Sequence, residues 1–196
     1  MRKVEVNRKT KETDIKVQLC LDGSGIYQID TGVGFLNHML ELFTAHGKFD
    51  LNILCVGDLQ VDSHHTVEDI AISLGAAFKE ALSDKRGIKR YGQRLLPMDE
   101  ALVMCAVDVG GRAYLNYDVE IPAGKVGEFD TELAYEFVSA FTRESGINLH
   151  IKLLNGENSH HIIEAVFKAF ARALAEGVSI DERFPDEIPS TKGILQ

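Results

Sequence analysis

Ser63-His64-His65-Thr66-Val67-Glu68 is answered later in the chain by Ser159-His160-His161-Ile162-Ile163-Glu164, and the reading of the fold starts from that repetition. In both places Ser-His-His-x-x-Glu opens a helical pattern, EDIAISLGAAFKEAL in the first copy and EAVFKAFARALAEG in the second. Upstream of each lies a strand-like run between equally spaced glycines, Gly47-KFDLNILCV-Gly57 and Gly146-INLHIKLLN-Gly156. Further upstream, each copy has an amphipathic stretch ending in Phe-Thr: His38-MLEL-Phe43-Thr44 and Glu136-FVSA-Phe141-Thr142. Aligning on Phe-Thr sets Glu136 opposite His38. Three landmarks in one order mark a duplicated unit.

Each copy reads as strands, helix, strand, helix. DIKVQLCL alternates like a half-buried strand, and DGSG marks a turn. Phe35, Leu36, Met39, Leu40 and Phe43 recur at helical spacing; LNILCV is a strand, and a long helix runs from about Ser63 to Leu82. In the second copy ALVMCAVDV and AYLNYDVEI read as strands separated by a Gly110-Gly111 turn, and Asp99 and Glu100 open the first of them. Asp130 is placed to cap a helix through Phe141, NLHIKLL is a strand, and the last helix runs from Ser159 to Glu176, stopped by Gly177. The fold class is α+β, with two pseudo-symmetric halves over residues 1–90 and 91–180 packed as one unit. Residues 181–196 are expected to form a C-terminal tail that contacts substrate.

Composition narrows the function. The 196 residues, 45% hydrophobic and 26% charged, suit a globular fold with a core of its own. The 21 basic residues face 30 acidic ones, a net charge of −9, which argues against nucleic acid and membrane surfaces as partners. A small anionic substrate is compatible with that balance, because a few local cations can override the global sign. MRKVEVNRKTKET lacks the apolar stretch of a secretory signal, and no run approaches the ~20 apolar residues of a membrane span. Cys20, Cys55 and Cys105 each sit in an apolar stretch and read as buried thiols. The expected location is the cytoplasm.

The histidines carry the chemistry. Adjacent side chains on a helix diverge by ~100°, so His64 and His65, or His160 and His161, are poorly placed to chelate one ion together. His64 and Glu68 share a face at i and i+4, as do His65 and Glu68 at i and i+3. Each motif therefore serves two neighbouring sites completed from elsewhere. With His38 and Glu136 the two motifs supply five imidazoles and three carboxylates, enough for two ions. Nitrogen and oxygen donors without sulfur suit manganese, iron or zinc. A helix N-terminus keeps the ring neutral, as a ligand must be. A lone motif of this kind would be as well explained as a helix cap; its duplication favours metal.

At this point the chain resembles the imidazoleglycerol-phosphate dehydratase family. The likeness is carried by GFLNHMLELFTAHG (34–47), DSHHTVEDIAISLG (62–75), KRYG (89–92), PMDEAL (97–102), DVGGR (108–112), GENSHHIIEAVFKAFARAL (156–174) and IPSTKG (188–193). It implies a cytoplasmic hydro-lyase of histidine biosynthesis, with two manganese ions (Mn2+) per active site. The reaction converts D-erythro-imidazole-glycerol phosphate to imidazole-acetol phosphate and water. The resemblance sets the metal ligands at His38, His64, His65, Glu68, Glu136, His160, His161 and Glu164; many relatives carry histidine in place of Glu136. It also implies that the substrate's imidazolate binds the metals, that the ring expels the neighbouring hydroxyl, and that loss of a carbon-bound proton gives an enol and then the ketone. Glu12, in RKTKET, is the expected proton-transfer carboxylate.

By the same resemblance, Arg90, Arg112, Lys168, Ser190 and Lys192 bind the phosphate, while Glu12, His38 and His46 also touch substrate. Lys168 has an argument of its own. It shares a helical face with His161 and Glu164, whereas the first copy has Ile72 there, so the pseudo-symmetry breaks in charge as an asymmetric substrate requires. Relatives form a cage-like homo-oligomer of twenty-four subunits with sites shared between chains. Two other readings compete: a non-catalytic homo-oligomer that stores or senses metal, and a dinuclear phosphoesterase. The first leaves the cations without a common purpose, and the second lacks an aspartate-rich cluster.

Overall fold

A computed structural model describes residues 1–195. The first half runs β1 (Lys3–Lys9), β2 (Thr13–Cys20), β3 (Tyr27–Asp30), α1 (Gly34–Gly47), β4 (Asp50–Gly57) and α2 (His64–Leu82). The second runs β5 (Tyr91–Met98), β6 (Ala101–Asp108), β7 (Tyr114–Asp118), a small hairpin of β8 (Lys125–Val126) and β9 (Phe129–Asp130), α3 (Glu132–Ser145), β10 (Asn148–Asn155) and α4 (Ser159–Val178). The sheets have the same topology, β1-β2-β4-β3 and β5-β6-β10-β7. In each, an antiparallel hairpin is followed by a strand–helix–strand crossover whose two strands lie parallel, β3 with β4 and β7 with β10. The α+β class and the duplication are thus both present.

Two readings of the second half need correction, and its strand order adds a feature of its own. The strands either side of Gly110-Gly111 are not neighbours: β10 lies between β6 and β7. A parallel pair needs a long crossover, and α3 supplies it, so the glycine turn leads away from β6 rather than back along it. Asp99 and Glu100 lie in the β5–β6 turn, with Asp99 at φ 49, rather than in a strand. Helix α3 is capped at Thr131, not Asp130, and continues past Phe141 to Ser145. The first strand of each half, β1 and β5, and the short β3 are further elements of the sheets that the periodicity reading passed over.

One face of each sheet is apolar. Ile15, Val17 and Leu19 of β2 pair across the register with Cys55, Ile53 and Leu51 of β4, and all six are buried. In the second sheet Val103, Cys105 and Val107 of β6 stand opposite Leu153, Ile151 and Leu149 of β10. All three cysteines are buried free thiols, and burial raises the pKa of Cys55 and Cys105, which leaves both unreactive.

The four helices lie between the two sheets and pack across the halves: α1 chiefly on α4, and α2 on α3. Each helix gives one phenylalanine to the centre. Phe43, Phe78, Phe141 and Phe170 meet with ring centroids 5.2–6.4 Å apart. The repeated Phe-Thr has a reason here. Phe43 and Phe141 face each other at the centre, while the buried hydroxyls of Thr44 and Thr142 each donate to the carbonyl four residues back, Leu40 and Val138, at 2.7 Å.

The α2–α3 approach requires Gly75, where a Cβ would stand 2.8 Å from the Phe141 carbonyl oxygen and 3.0 Å from the Glu144 Cβ. Gly75→Val is therefore expected to lower stability by about 1–3 kcal/mol in chemical denaturation. Gly124→Ala, with nothing within 4 Å, should stay within about 0.5 kcal/mol.

Asp50 fixes the entry into β3. Its Oδ1 accepts the backbone N–H groups of Ser24 (2.8 Å), Gly25 (3.2 Å) and Ile26 (3.0 Å). The Ser24 hydrogen bond, helped by the other two against partial burial, lowers its pKa. The stabilisation is present above the unfolded-state aspartate pKa of ~3.9 and is lost as pH falls through the lower folded value. Asp50→Ala should lower the melting temperature at pH 7 and narrow the gap to wild type as the pH falls below about 4.

Candidate active site

The cross-half packing brings the repeated histidines together. On the α1–α4 seam, His38 of the first half meets His160 and Glu164 of the second. His160 Nε2 lies 3.3 Å and His38 Nε2 3.8 Å from the same oxygen, Glu164 Oε2. One donor atom from each residue falls within 4.8 Å of the others, the arrangement a single ion needs. Asn158 caps α4, its side chain accepting from the backbone N–H of His160 and His161, so the helix start that presents these rings is well held. Phe35 meets His160 edge-on at 5.2 Å. A cavity of about 720 Å3 opens in front, lined by Phe35, His38, Ser63, Glu128, Phe129 and His160 among others.

Glu164 is buried yet ionised. Burial opposes its charge, but the Lys168 ammonium hydrogen-bonded to Oε1, followed by His38 and His160, outweighs it and lowers the pKa. Lys168 also reaches Met98 Sδ at 3.5 Å. His46, about 12 Å further along α1 at 1.5 Å per residue, is half-buried; burial first, then Lys168, Arg172 and Lys48, lowers its pKa. This end of the seam is locally cationic in a chain of net charge −9.

The α2–α3 seam repeats the plan with different outcomes. His64 Nε2 is 3.8 Å from Glu68 Oε2, but Glu68 Oε1 faces Arg143 of α3 at 3.4 Å. Glu136, the counterpart of His38, is half-buried on α3, two turns before Arg143. Among the described residues the only three-donor cluster is His38–His160–Glu164; Glu68, His64 and Glu136 do not close into a second.

The second histidine of each motif turns elsewhere, as the divergence of adjacent side chains requires. His64 and His65 are perpendicular at 6.3 Å between centroids, His160 and His161 at 81° and 6.2 Å. His65 does not join Glu68: its Nδ1 binds Asp58 Oδ2 at 3.0 Å, and its Nε2 points to Glu12 Oε1 at 3.8 Å. His161 Nδ1 binds Glu100 Oε2 at 2.7 Å, with Nε2 3.7 Å from Asp99. These hydrogen bonds raise the pKa of both rings, and the bond from His161 is the main reason that Glu100 sits at about 2.

The expected phosphate ligands are dispersed. Arg90 makes two hydrogen bonds to Asp108, at 2.7 and 3.1 Å, and donates to the Pro189 carbonyl at 2.9 Å, tying the tail to the end of β6. Ser190 and Lys192 lie in that tail; Arg112 is exposed after the Gly110-Gly111 turn. Sequence reasoning missed Asp58 and Arg143 and left Glu100 without a role. Glu100 had a signal: like Glu12, it immediately precedes the second strand of its half.

Fold and seam together define a class: a duplicated α+β enzyme whose histidines and carboxylates converge between interlocked halves. The family model described as imidazoleglycerol-phosphate dehydratase matches residues 31–174. The chain is 57% identical to the imidazoleglycerol-phosphate dehydratase of Caldanaerobacter subterraneus subsp. tengcongensis, and 56% identical to that of Lachnoclostridium phytofermentans. Each match covers all of this chain and at least 99% of the relative. Its fold is similar to the crystal structure from Staphylococcus aureus (TM-score 0.84, 41% identity, 91% of this chain and 99% of that one). It is also similar to the Pyrococcus furiosus enzyme in complex with (S)-C348 (TM-score 0.83, 38% identity, 97% and 100%). This chain belongs to the imidazoleglycerol-phosphate dehydratase family and is a hydro-lyase of histidine biosynthesis.

Lys168 and Arg143 neutralise equivalent carboxylates in unequal surroundings. Lys168→Met leaves the buried Glu164 without its ammonium and should cost about 3 kcal/mol in the metal-free protein. Arg143→Ala at the half-buried Glu68 should cost less than about 1 kcal/mol, both read by denaturant unfolding.

Proposed function

We propose that this chain dehydrates D-erythro-imidazole-glycerol phosphate to imidazole-acetol phosphate with two manganese ions per active site. The observation that carries the reading is the convergence of His38, His160 and ionised Glu164 on one point between the halves. Two imidazoles and a carboxylate without sulfur fit a borderline-to-hard divalent ion such as manganese. His64, Glu68 and Glu136 are the matching donors of the other seam. His65 and His161, with Nε2 directed outward, are suited to complete sites on further copies of the chain. When bound, the ions would supply Lewis acidity that favours the imidazolate form of the substrate ring and orients it, without redox change.

The chain's own groups then divide the remaining work. Glu12 stands 3.8 Å from His65 Nε2, beside the ring that the substrate imidazole would approach. The electron-rich ring would push out the hydroxyl on the adjacent carbon, and the Glu12 carboxylate takes the proton from the carbon beyond it, whose C–H electrons become the C=C bond of an enol as the ring recovers its electron pair. The hydroxyl leaves as water with the proton that the Glu12 carboxyl returns to it, and the enol loses its O–H proton to solvent and takes one up at carbon to become the ketone. Lys168 and His46, with Arg112, Ser190 and Lys192, hold the phosphate. Arg90 serves the same end through the tail it binds at Pro189.

Sharing of sites fits a cage-like homo-oligomer of twenty-four subunits in the cytoplasm. Exposed Leu95, Met104 and Leu154 in the second sheet, and Leu54 and Val56 in the first, offer apolar surface for such contacts. No helix among the described residues is long and apolar enough to cross a membrane.

His160→Ala and His64→Ala should each lose manganese and at least about 10³-fold in turnover. Chelation of the wild type should abolish turnover, and added manganese should restore it. Full turnover with no bound metal, measured by elemental analysis of the assayed enzyme, overturns the reading. Tight competition by a triazole phosphonate separates the dehydratase from a metal-storing shell.

A further inference from the structure

We propose that Asp58 and Glu100 are positioning residues that fix the tautomer of His65 and His161, and that the halves draw this carboxylate from different loops, leaving Glu12 free. The inference rests on the metal-site reading above. A carboxylate only accepts, so at 3.0 and 2.7 Å from Asp58 and Glu100 the Nδ1 atoms carry the hydrogen. In the neutral ring the Nε2 lone pair then faces outward as a ligand. Oxygen partners of this kind orient histidine ligands and raise their basicity.

The repeat shows that the anchor has moved. Glu100 directly precedes β6, as Glu12 directly precedes β2. Asp58 follows Gly57 at the end of β4, as Glu157 follows Gly156 beyond β10. In the second half the turn carboxylate does the anchoring. Glu100 Oε2 holds His161, while its Oε1 accepts the backbone N–H groups of Asn158 at 2.7 Å and Glu157 at 3.2 Å. Glu157 contributes only that N–H.

In the first half the roles exchange. The segment between Gly57 and Ser63 is longer than that between Gly156 and Ser159, and Asp58 reaches His65 itself. Glu12 receives the Asp58 backbone N–H on its main-chain carbonyl at 3.0 Å, so the turn and loop stay joined without its side chain. That side chain is half exposed and faces the Nε2 side of His65. Asp58 Oδ1, by contrast, is buried with no hydrogen-bond partner. A buried unpaired oxygen is costly, so stability alone is a poor reason for an aspartate here. Asp58 therefore takes the anchoring duty, and the carboxylate that would otherwise hold His65 becomes available for proton transfer.

The test is a titration of purified metal-free protein with manganese chloride, followed by calorimetry, with melting curves of each metal-free variant. Asp58→Ala is expected to weaken manganese binding about 10–100-fold, and Glu100→Gln, in the other half, to weaken it in the same direction. Asp58→Asn, which keeps an acceptor, should recover part of the loss. Glu12→Gln should bind manganese within about twofold of wild type while losing turnover. Wild-type affinity in Asp58→Ala overturns the proposal, as does a Glu12→Gln variant weakened as much as Asp58→Ala. If Asp58→Ala does not fold, unchanged affinity in both Asp58→Asn and Glu100→Gln overturns it. A wild-type protein that binds no manganese overturns the metal-site reading and this inference together.

Discussion

Helix α1 packs on α4 and α2 on α3, and each pair joins opposite halves of the chain. Each sheet is covered by helices of its own half, but those helices carry a second apolar face that only the other half can cover. The same pairing puts His38 against His160 and Glu164. Core and site are therefore one construction: the phenylalanines at its centre hold the seam closed, and the donors ride at the helix ends.

Electrostatics inside that construction are local. Net charge is −9, yet the α1–α4 seam brings Lys168, Arg172 and Lys48 around His46. A buried carboxylate survives there as an anion because an ammonium one helical turn away opposes the cost of burial. The counterpart carboxylate Glu68 is more exposed and meets its cation from the neighbouring helix instead. Equivalent positions thus reach similar charge balance by different routes, which is how a symmetric scaffold can receive an unsymmetric substrate.

Divergence between the halves is concentrated in loops. Both sheets keep their core residues paired across the two central strands, with a register shift in β10 between Leu153 and Asn155 that β4 lacks; a slip along the whole strand would turn every core side chain to solvent. The turn before the second strand and the loop before the last helix are free of that constraint. There the carboxylates facing the second histidine of each motif have changed origin, from Glu100 in one half to Asp58 in the other.

By itself the sequence determined the duplication, the α+β class, the buried thiols and the inventory of donors, because periodic burial and repeated motifs are properties of neighbours along the chain. It also showed that His64 and His65 must point apart, since helical geometry settles it. It did not reveal that β10 separates β6 from β7, for strand order depends on a crossover through α3. Nor did it reveal that His38 answers His160 rather than His64, or that Arg143 claims Glu68, because those pairings arise where helices from opposite halves meet. Asp58 is the sharpest case: it precedes α2, in the loop after β4, and becomes the partner of His65 only once that loop folds back over the start of the helix.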